Sequence, residues 1–212
     1  HLKGKGAMHS STGLAISAKD MLQMAPPEVI RWLIMQPQPN RHIDFDPGLG
    51  LLNSVDKYDK IEENYYGKNL EENLSRAYEL SQINKINDEQ PQKLPYRHLV
   101  TLTQSKNSFE EIIETLAETN EIANLNEYDK KRLNRRIDCI KEWLDKHAPE
   151  GLKFKIQNEP PQINFNQSDK NKIKILTQKM KNIKWSAEVI HDSFYEIQEE
   201  KNIPAKELFR IM

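Results

Sequence analysis

Apolar residues recur along this chain at intervals of three and four, a spacing that predicts helix almost throughout. Leu51, Val55, Tyr58, Ile61 and Tyr65 form one stripe of a long helix that begins near residue 49 and ends at Gly67 as its C-cap. The longest helix is expected over residues 127–147. Leu133, Ile137, Ile140 and Leu144 line its inner face, and Arg132, Arg135 and Arg136 fall on the other faces. Shorter helices are read from Leu74, Tyr78 and Leu80, from Leu99 and Val100, and from Ile112, Ile113 and Leu116. Two more follow from Ile173, Leu176 and Met180, and from Ala187, Ile190, Phe194 and Ile197. Alternation with a period of two occurs in only two places, Ile43 with Phe45 and Leu152 through Ile156, so two short strands are the most expected. The fold is therefore read as mainly α.

Start and stop signals sharpen these bounds. Ser17 with Asp20 reads as a capping box, and the helix it opens should stop by Ala25, ahead of Pro26-Pro27. Pro27 suits the first turn of the next helix, which carries Val29, Ile30, Leu33 and Ile34 and ends before Pro37 and Pro39. Asp46-Pro47-Gly48 is a turn signal. Asn69 with Glu72 and Ser108 with Glu111 are further capping boxes; Ser168 is read as an N-cap, and Pro95 and Pro204 as helix openers. Residues 84–94, polar and containing Pro91, form a loop, as do Pro160 and Pro161. Trp32, Trp143 and Trp185 are expected to anchor cores. Phe154 has two readings: inward on a strand with Leu152 and Ile156, or presented between Lys153 and Lys155.

At 212 residues the chain allows one large domain or two small ones. A formal charge of -1 gives no global basic field, but the charge is polarised. Residues 150–184 hold eight lysines against three acids, and residues 56–90 hold nine acids against five bases. A basic stretch with an aromatic between lysines suits single-stranded RNA, where lysines meet phosphates and the ring stacks on a base; the bland alternative is a solvated helix face. The single cysteine, Cys139, excludes an internal disulfide and sits in a helical stripe as a buried thiol. Six histidines show no metal-ligand spacing, so no metal site is expected in this chain. No apolar run approaches the roughly 18 residues of a membrane span and no secretory signal is seen, so no membrane partner and a cytoplasmic location are expected. The start at His1 and the stop within an apolar helical pattern, Leu208 to Met212, read as a fragment cut at both ends.

Residues 1–16 carry three of the seven glycines, Gly4, Gly6 and Gly13, around Met8-His9-Ser10-Ser11-Thr12. A glycine-flanked hydroxyl loop before a helix suits phosphate contacts through backbone N–H groups. It is not a P-loop, because no Gly-Lys-Ser/Thr stands at the required spacing. Asp44 and Asp46 form a carboxylate pair beside a turn, where solvent or turn hydrogen bonding is the simplest role.

Several segments together resemble the class I lysyl-tRNA synthetase family. They are Pro26-Pro27-Glu28-Val29-Ile30-Arg31-Trp32-Leu33-Ile34, Pro39 to Asp46, Gly50-Leu51-Leu52-Asn53-Ser54-Val55-Asp56-Lys57-Tyr58-Asp59, and Lys184-Trp185-Ser186-Ala187-Glu188-Val189-Ile190-His191-Asp192. Ala7 to Ser11 sits where class I synthetases carry Lys-Met-Ser-Lys-Ser: Met8 and Ser11 match, while Ala7, His9 and Ser10 replace the first lysine, the first serine and the second lysine. Lys3 and Lys5 lie nearby.

The resemblance implies that residues 1–48 end a Rossmann-type catalytic domain with a segment touching the tRNA stem. Residues 49–212 would be a helical, cage-type anticodon-binding region, with a further division near 148. It implies that Met8, His9, Ser10 and Ser11, with Ala7, form the ATP loop, whose lysines in the family stabilise charge developing on the phosphates. It implies tRNA contacts at Lys153, Phe154, Lys155 and Lys172. The substrates would be lysine, ATP with Mg2+, and tRNA(Lys), and the reaction lysine–tRNA ligation. The family's His-Ile-Gly-His-type motif does not occur in this sequence, so the chain alone is expected to be inactive. The alternatives are a non-catalytic helical RNA- or protein-binding module and a class I synthetase of glutamate-like specificity.

Overall fold

A computed structural model of the chain describes residues 16–37, 40–157, 159, 164–183 and 185–211. Among them are ten α-helices and no strand ladder. The chain divides after Ile156 into two compact units. The first is built from α1 (Ala18–Met24), α2 (Pro27–Met35), α3 (Leu49–Tyr66), α4 (Glu72–Ser81), α5 (Tyr96–Ser105), α6 (Phe109–Glu118) and α7 (Glu127–Lys146), closed by a 3-10 turn at Glu150–Leu152. The second holds α8 (Gln167–Met180), α9 (Ala187–Lys201) and α10 (Ala205–Ile211).

Local chemistry explains most of the boundaries. Ser17 and Asp20 form the reciprocal capping box: the Ser17 hydroxyl accepts from the Asp20 N–H, and the Asp20 carboxylate accepts from the Ser17 N–H. Pro27 occupies the first turn of α2, where no N–H is needed. Ser108 caps α6, but Glu111 turns its carboxylate to the Asn107 N–H, one residue before the cap.

Other expectations are corrected. Asn69 does not cap α4, which starts after Glu71 without a side-chain cap. Asn69 instead completes the end of α3. Gly67 is the C-cap in right-handed conformation and Lys68 takes the left-handed one at φ 56°. The Lys68 and Asn69 N–H groups then donate to the Tyr65 and Asn64 carbonyls, the paired bonds of a Schellman ending. Asn166, not Ser168, caps α8. Neither predicted strand forms a ladder among the described residues: Phe45 makes an isolated bridge, and residues 42–44 and 153–157 have no regular structure. Trp32 and Trp143 are buried as expected, but Trp185 is 74% exposed. Ile34 and Leu80 also face solvent.

One continuous core runs through the first unit, from Met24, Val29, Trp32 and Phe45 to Leu133, Ile140 and Trp143. It crosses the expected 48/49 boundary without a break. The Asp46-Pro47-Gly48 turn is tied to α7, because the Trp143 indole N–H donates to the Pro47 carbonyl at 2.7 Å. Asp46 accepts from the Gly48 N–H at 2.9 Å and packs so closely on α3 that a Cβ at Gly50 would lie 2.3 Å from its own Cβ, which requires glycine there. The Asp46 carboxylate therefore serves the turn. Cys139 is fully buried on α7, and burial pushes its thiol up to about 12.

The largest departure concerns α7. Arg132 and Arg136 do not face outward; both are buried against α3. Arg136, 1% exposed, grips both oxygens of Asp59, donates to the Leu94 carbonyl and lies over the Tyr96 ring. Arg132 donates to Glu62 at 2.6 Å, and Glu62 also accepts from the Tyr78 hydroxyl at 3.1 Å. Burial opposes the Arg136 charge, yet Asp59 beside it holds the guanidinium above its ordinary range.

The second unit has its own small core of Leu176, Phe194, Ile197, Ala205 and Leu208. Phe194 stacks on Phe209 with ring centroids 4.2 Å apart. Asn202 in left-handed conformation ends α9, and the Gln198 side chain accepts the Ala205 N–H that opens α10.

Candidate nucleic-acid interface

The segment after the 3-10 turn is extended and would be free to move, but Gln104 of α5 fixes it. Its amide accepts from the Phe154 N–H at 2.9 Å and donates to the Leu152 carbonyl at 3.1 Å, bonds that bridge 50 and 48 residues of sequence. A third bond, to the Val100 carbonyl one turn back in α5, holds the amide itself in place. Leu152 packs against the core, and the clamp turns the next residues outward. Phe154 is 43% exposed and Ile156 is exposed too, so the inward reading of Phe154 is overturned. The period of two at 152–156 has no neighbouring strand to pair with among the described residues, and a lone extended segment has no second face to bury.

Phe154 with Lys153, Lys155, Gln104, Leu144, Asp145 and Glu150 borders an open cleft of about 650 Å³. The Lys153 ammonium is 2.8 Å from Glu150, three residues back. Lys155 is exposed and has no carboxylate partner among the described residues. The result is a ring held by its own backbone with a free cation beside it, the arrangement that base stacking and phosphate contact require.

The structure does not gather all of the predicted RNA-contacting residues. Lys153, Phe154 and Lys155 belong to the first unit and Lys172 to the second. Lys172 is only 14% exposed at its side chain and pairs with Glu207 at 2.6 Å and Asp169 at 3.7 Å. Lys179 is similarly held by Glu196 and Glu200. Met8, His9, Ser10 and Ser11, with Ala7, lie outside the described residues, as does Lys184. The described residues contain no group of acids, histidines and cysteines arranged to hold a metal ion, and no helix long and apolar enough to cross a membrane.

Comparison with known proteins points to one family. The family described as "tRNA synthetases class I (K)" matches residues 1–84. A lysine–tRNA ligase of Picrophilus torridus is 38% identical over 202 residues, covering 92% of this chain, and one of Thermoplasma acidophilum is 34% identical over 212 residues, covering 99%. One of Thermococcus kodakarensis is 32% identical across the whole chain. Nearly the whole chain is thus similar to class I lysyl-tRNA synthetases. It spans about two fifths of the relatives it matches, 38% of the Picrophilus protein and 41% of the Thermoplasma one. Phe154 lies beyond the family match, but inside the span shared with the Thermoplasma relative.

Sequence reading missed Gln104, whose role depends on a contact 50 residues away and leaves no local signal. It also missed Arg132 and Arg136, for which a signal existed. With Leu133, Ile137, Ile140 and Trp143 they complete one broad helical stripe, and Asp59 and Glu62 sit three residues apart on the inner side of α3.

Proposed function

We propose that this chain is the tRNA-gripping portion of an enzyme that activates lysine with ATP and transfers it to tRNA(Lys). The reading rests on the similarity to lysine–tRNA ligases along nearly the whole chain, and the observation that carries its RNA-binding part is the Gln104 clamp presenting Phe154 beside Lys155. In this account residues 1–48 serve the ATP end and residues 49–212 serve tRNA, a functional division laid across one continuous core. Ser10 and Ser11, with backbone N–H groups of the loop, donate to the ATP phosphates, and Lys3 or Lys5 supplies the charge that Ala7 and Ser10 do not. Phe154 stacks on an unpaired anticodon base while Lys153 and Lys155 meet phosphates. Lys172 contributes less, because it must exchange Glu207 for phosphate.

A binding titration of tRNA(Lys) at several salt concentrations tests this. Each lysine–phosphate contact releases condensed counterion, so the log–log slope should be roughly -0.7 to -0.9 per contact. Lys155→Ala should flatten the slope by about one such contact, and Lys172→Ala by less. Affinity that is independent of salt, or unchanged in Lys155→Ala, rejects the interface. In the complete enzyme, Ser10→Ala with Ser11→Ala should slow lysine-dependent pyrophosphate exchange by roughly 10²-fold; unchanged exchange removes this loop from catalysis.

A further inference from the structure

A second recess, of about 220 Å³, lies among α2, α3, α7 and the loop after α4, and shares no lining residue with the Phe154 cleft. Arg132 lines it with a side chain 8% exposed. One guanidinium nitrogen, Nη2, donates to Glu62, but Nη1 is buried with no hydrogen-bond partner among the described residues. An unsatisfied donor on a buried cation is costly and rare in folded proteins. On the same wall, the Tyr58 hydroxyl accepts from the Gln82 amide at 2.9 Å, and its own proton has no acceptor among the described residues. That proton stays in place, since burial raises the Tyr58 phenol above its ordinary range.

Two donors without acceptors on one recess call for a ligand that offers only acceptors. The charge agrees: Lys85, Lys131, Arg132 and Arg135 stand against Glu28 and Glu62, four cations to two carboxylates. Arg135 is already anchored, donating to the Leu22 carbonyl at 3.0 Å, so its charge is fixed in position at the rim. An amine or a metal cation would meet this excess of positive charge unfavourably, whereas an oxyanion has both the charge and the acceptor atoms that the wall lacks.

We propose that this recess is a phosphate site, with Arg132 Nη1 and the Tyr58 hydroxyl as its donors and Lys131 and Lys85 supplying rim charge. The phosphate group comes either from an RNA backbone or from free inorganic phosphate. The site does not depend on the Phe154 interface, and either can fail without the other.

The test titrates inorganic phosphate into the full chain, followed by 31P line broadening, against chloride at matched ionic strength. Saturable binding with a dissociation constant on the order of 1 mM is expected for so few contacts. Tyr58→Phe keeps the ring and should weaken phosphate about 10-fold, the loss of one hydrogen bond to a charged acceptor. Lys131→Ala, at the exposed rim, should weaken it less and carries the test if Tyr58→Phe disturbs folding by near-UV circular dichroism. Phe154→Ala should leave it unchanged. Displacement of phosphate by a short RNA stem assigns the site to RNA backbone, and retention of phosphate assigns it to the free ion; both uphold it. No saturable binding, or equal binding by wild type, Tyr58→Phe and Lys131→Ala, overturns it and leaves a buried water as the partner of Arg132.

Discussion

Residues 56–90 carry the acidic excess and residues 150–184 the basic one, yet the two stretches use their charges in opposite ways. From the acidic stretch, Glu62 is buried and Asp59 partly so, and the buried Arg132 and Arg136 meet them. In the basic stretch Lys153, Lys172 and Lys179 pair with carboxylates near the surface, and Lys155, Lys170, Lys174 and Lys181 have no carboxylate partner among the described residues. A tally of formal charge does not distinguish these cases. Desolvation does: a buried pair is committed to the fold because either partner left alone is a stranded charge, while a pair whose carboxylate is open to water adds little to stability.

The buried pair of Arg136 with Asp59 carries the largest expected effect. Arg136→Ala strands Asp59 and should cost about 3–5 kcal/mol in urea unfolding. Replacing the pair together, with Asp59→Leu and Arg136→Met, should recover much of that loss, because no charge is then buried alone. A loss for Arg136→Ala no larger than that of a surface lysine would remove the distinction between the two stretches. Lys172→Ala tests the other side. It should leave the urea midpoint nearly unchanged despite the short contact to Glu207, since that carboxylate is open to water. The smallest effect concerns His147 at the C-terminal cap of α7, where burial lowers its pKa. The unfolded chain therefore binds the proton more readily than the folded one. Stability contributed by the neutral ring is fully present above the ordinary histidine value near 6.5 and is lost as pH falls from there through the lowered folded value. His147→Gln should flatten that acid limb of the stability–pH curve slightly, and an unchanged limb would exclude the residue.

The parts of this molecule legible in the sequence are those fixed by nearest neighbours. The Ser17–Asp20 box, Pro27 at the head of α2, the turn at Asp46 and the stripes of α3 and α7 all follow from residues within a few positions of one another. Where two local signals competed, reading failed. Asn69 suits both an N-cap and a helix ending, and the Schellman bonds of α3 took it. Asn166 and Ser168 suit the same cap, and the earlier residue won. Residues 152–156 show a genuine alternation that never becomes a strand, because pairing depends on a partner that local pattern does not reveal. The candidate interface was half legible for the same reason. Lys153, Phe154 and Lys155 stand out in sequence, whereas the outward setting of the ring depends on Gln104. Family resemblance implies an ATP loop and a tRNA end, but it did not contain the clamp.

The central claim is that the first unit holds Phe154 out of its core for a base to stack on. Affinities of wild-type and Phe154→Ala chains for tRNA with a lysine anticodon and for tRNA with another anticodon, measured beside a melting curve, test it most directly. Expected are an unchanged melting curve, a loss of about 1–3 kcal/mol for the lysine-anticodon tRNA and a much smaller loss for the other. Equal losses for both tRNAs in a stably folded Phe154→Ala chain would contradict it and leave the segment a non-specific basic contact.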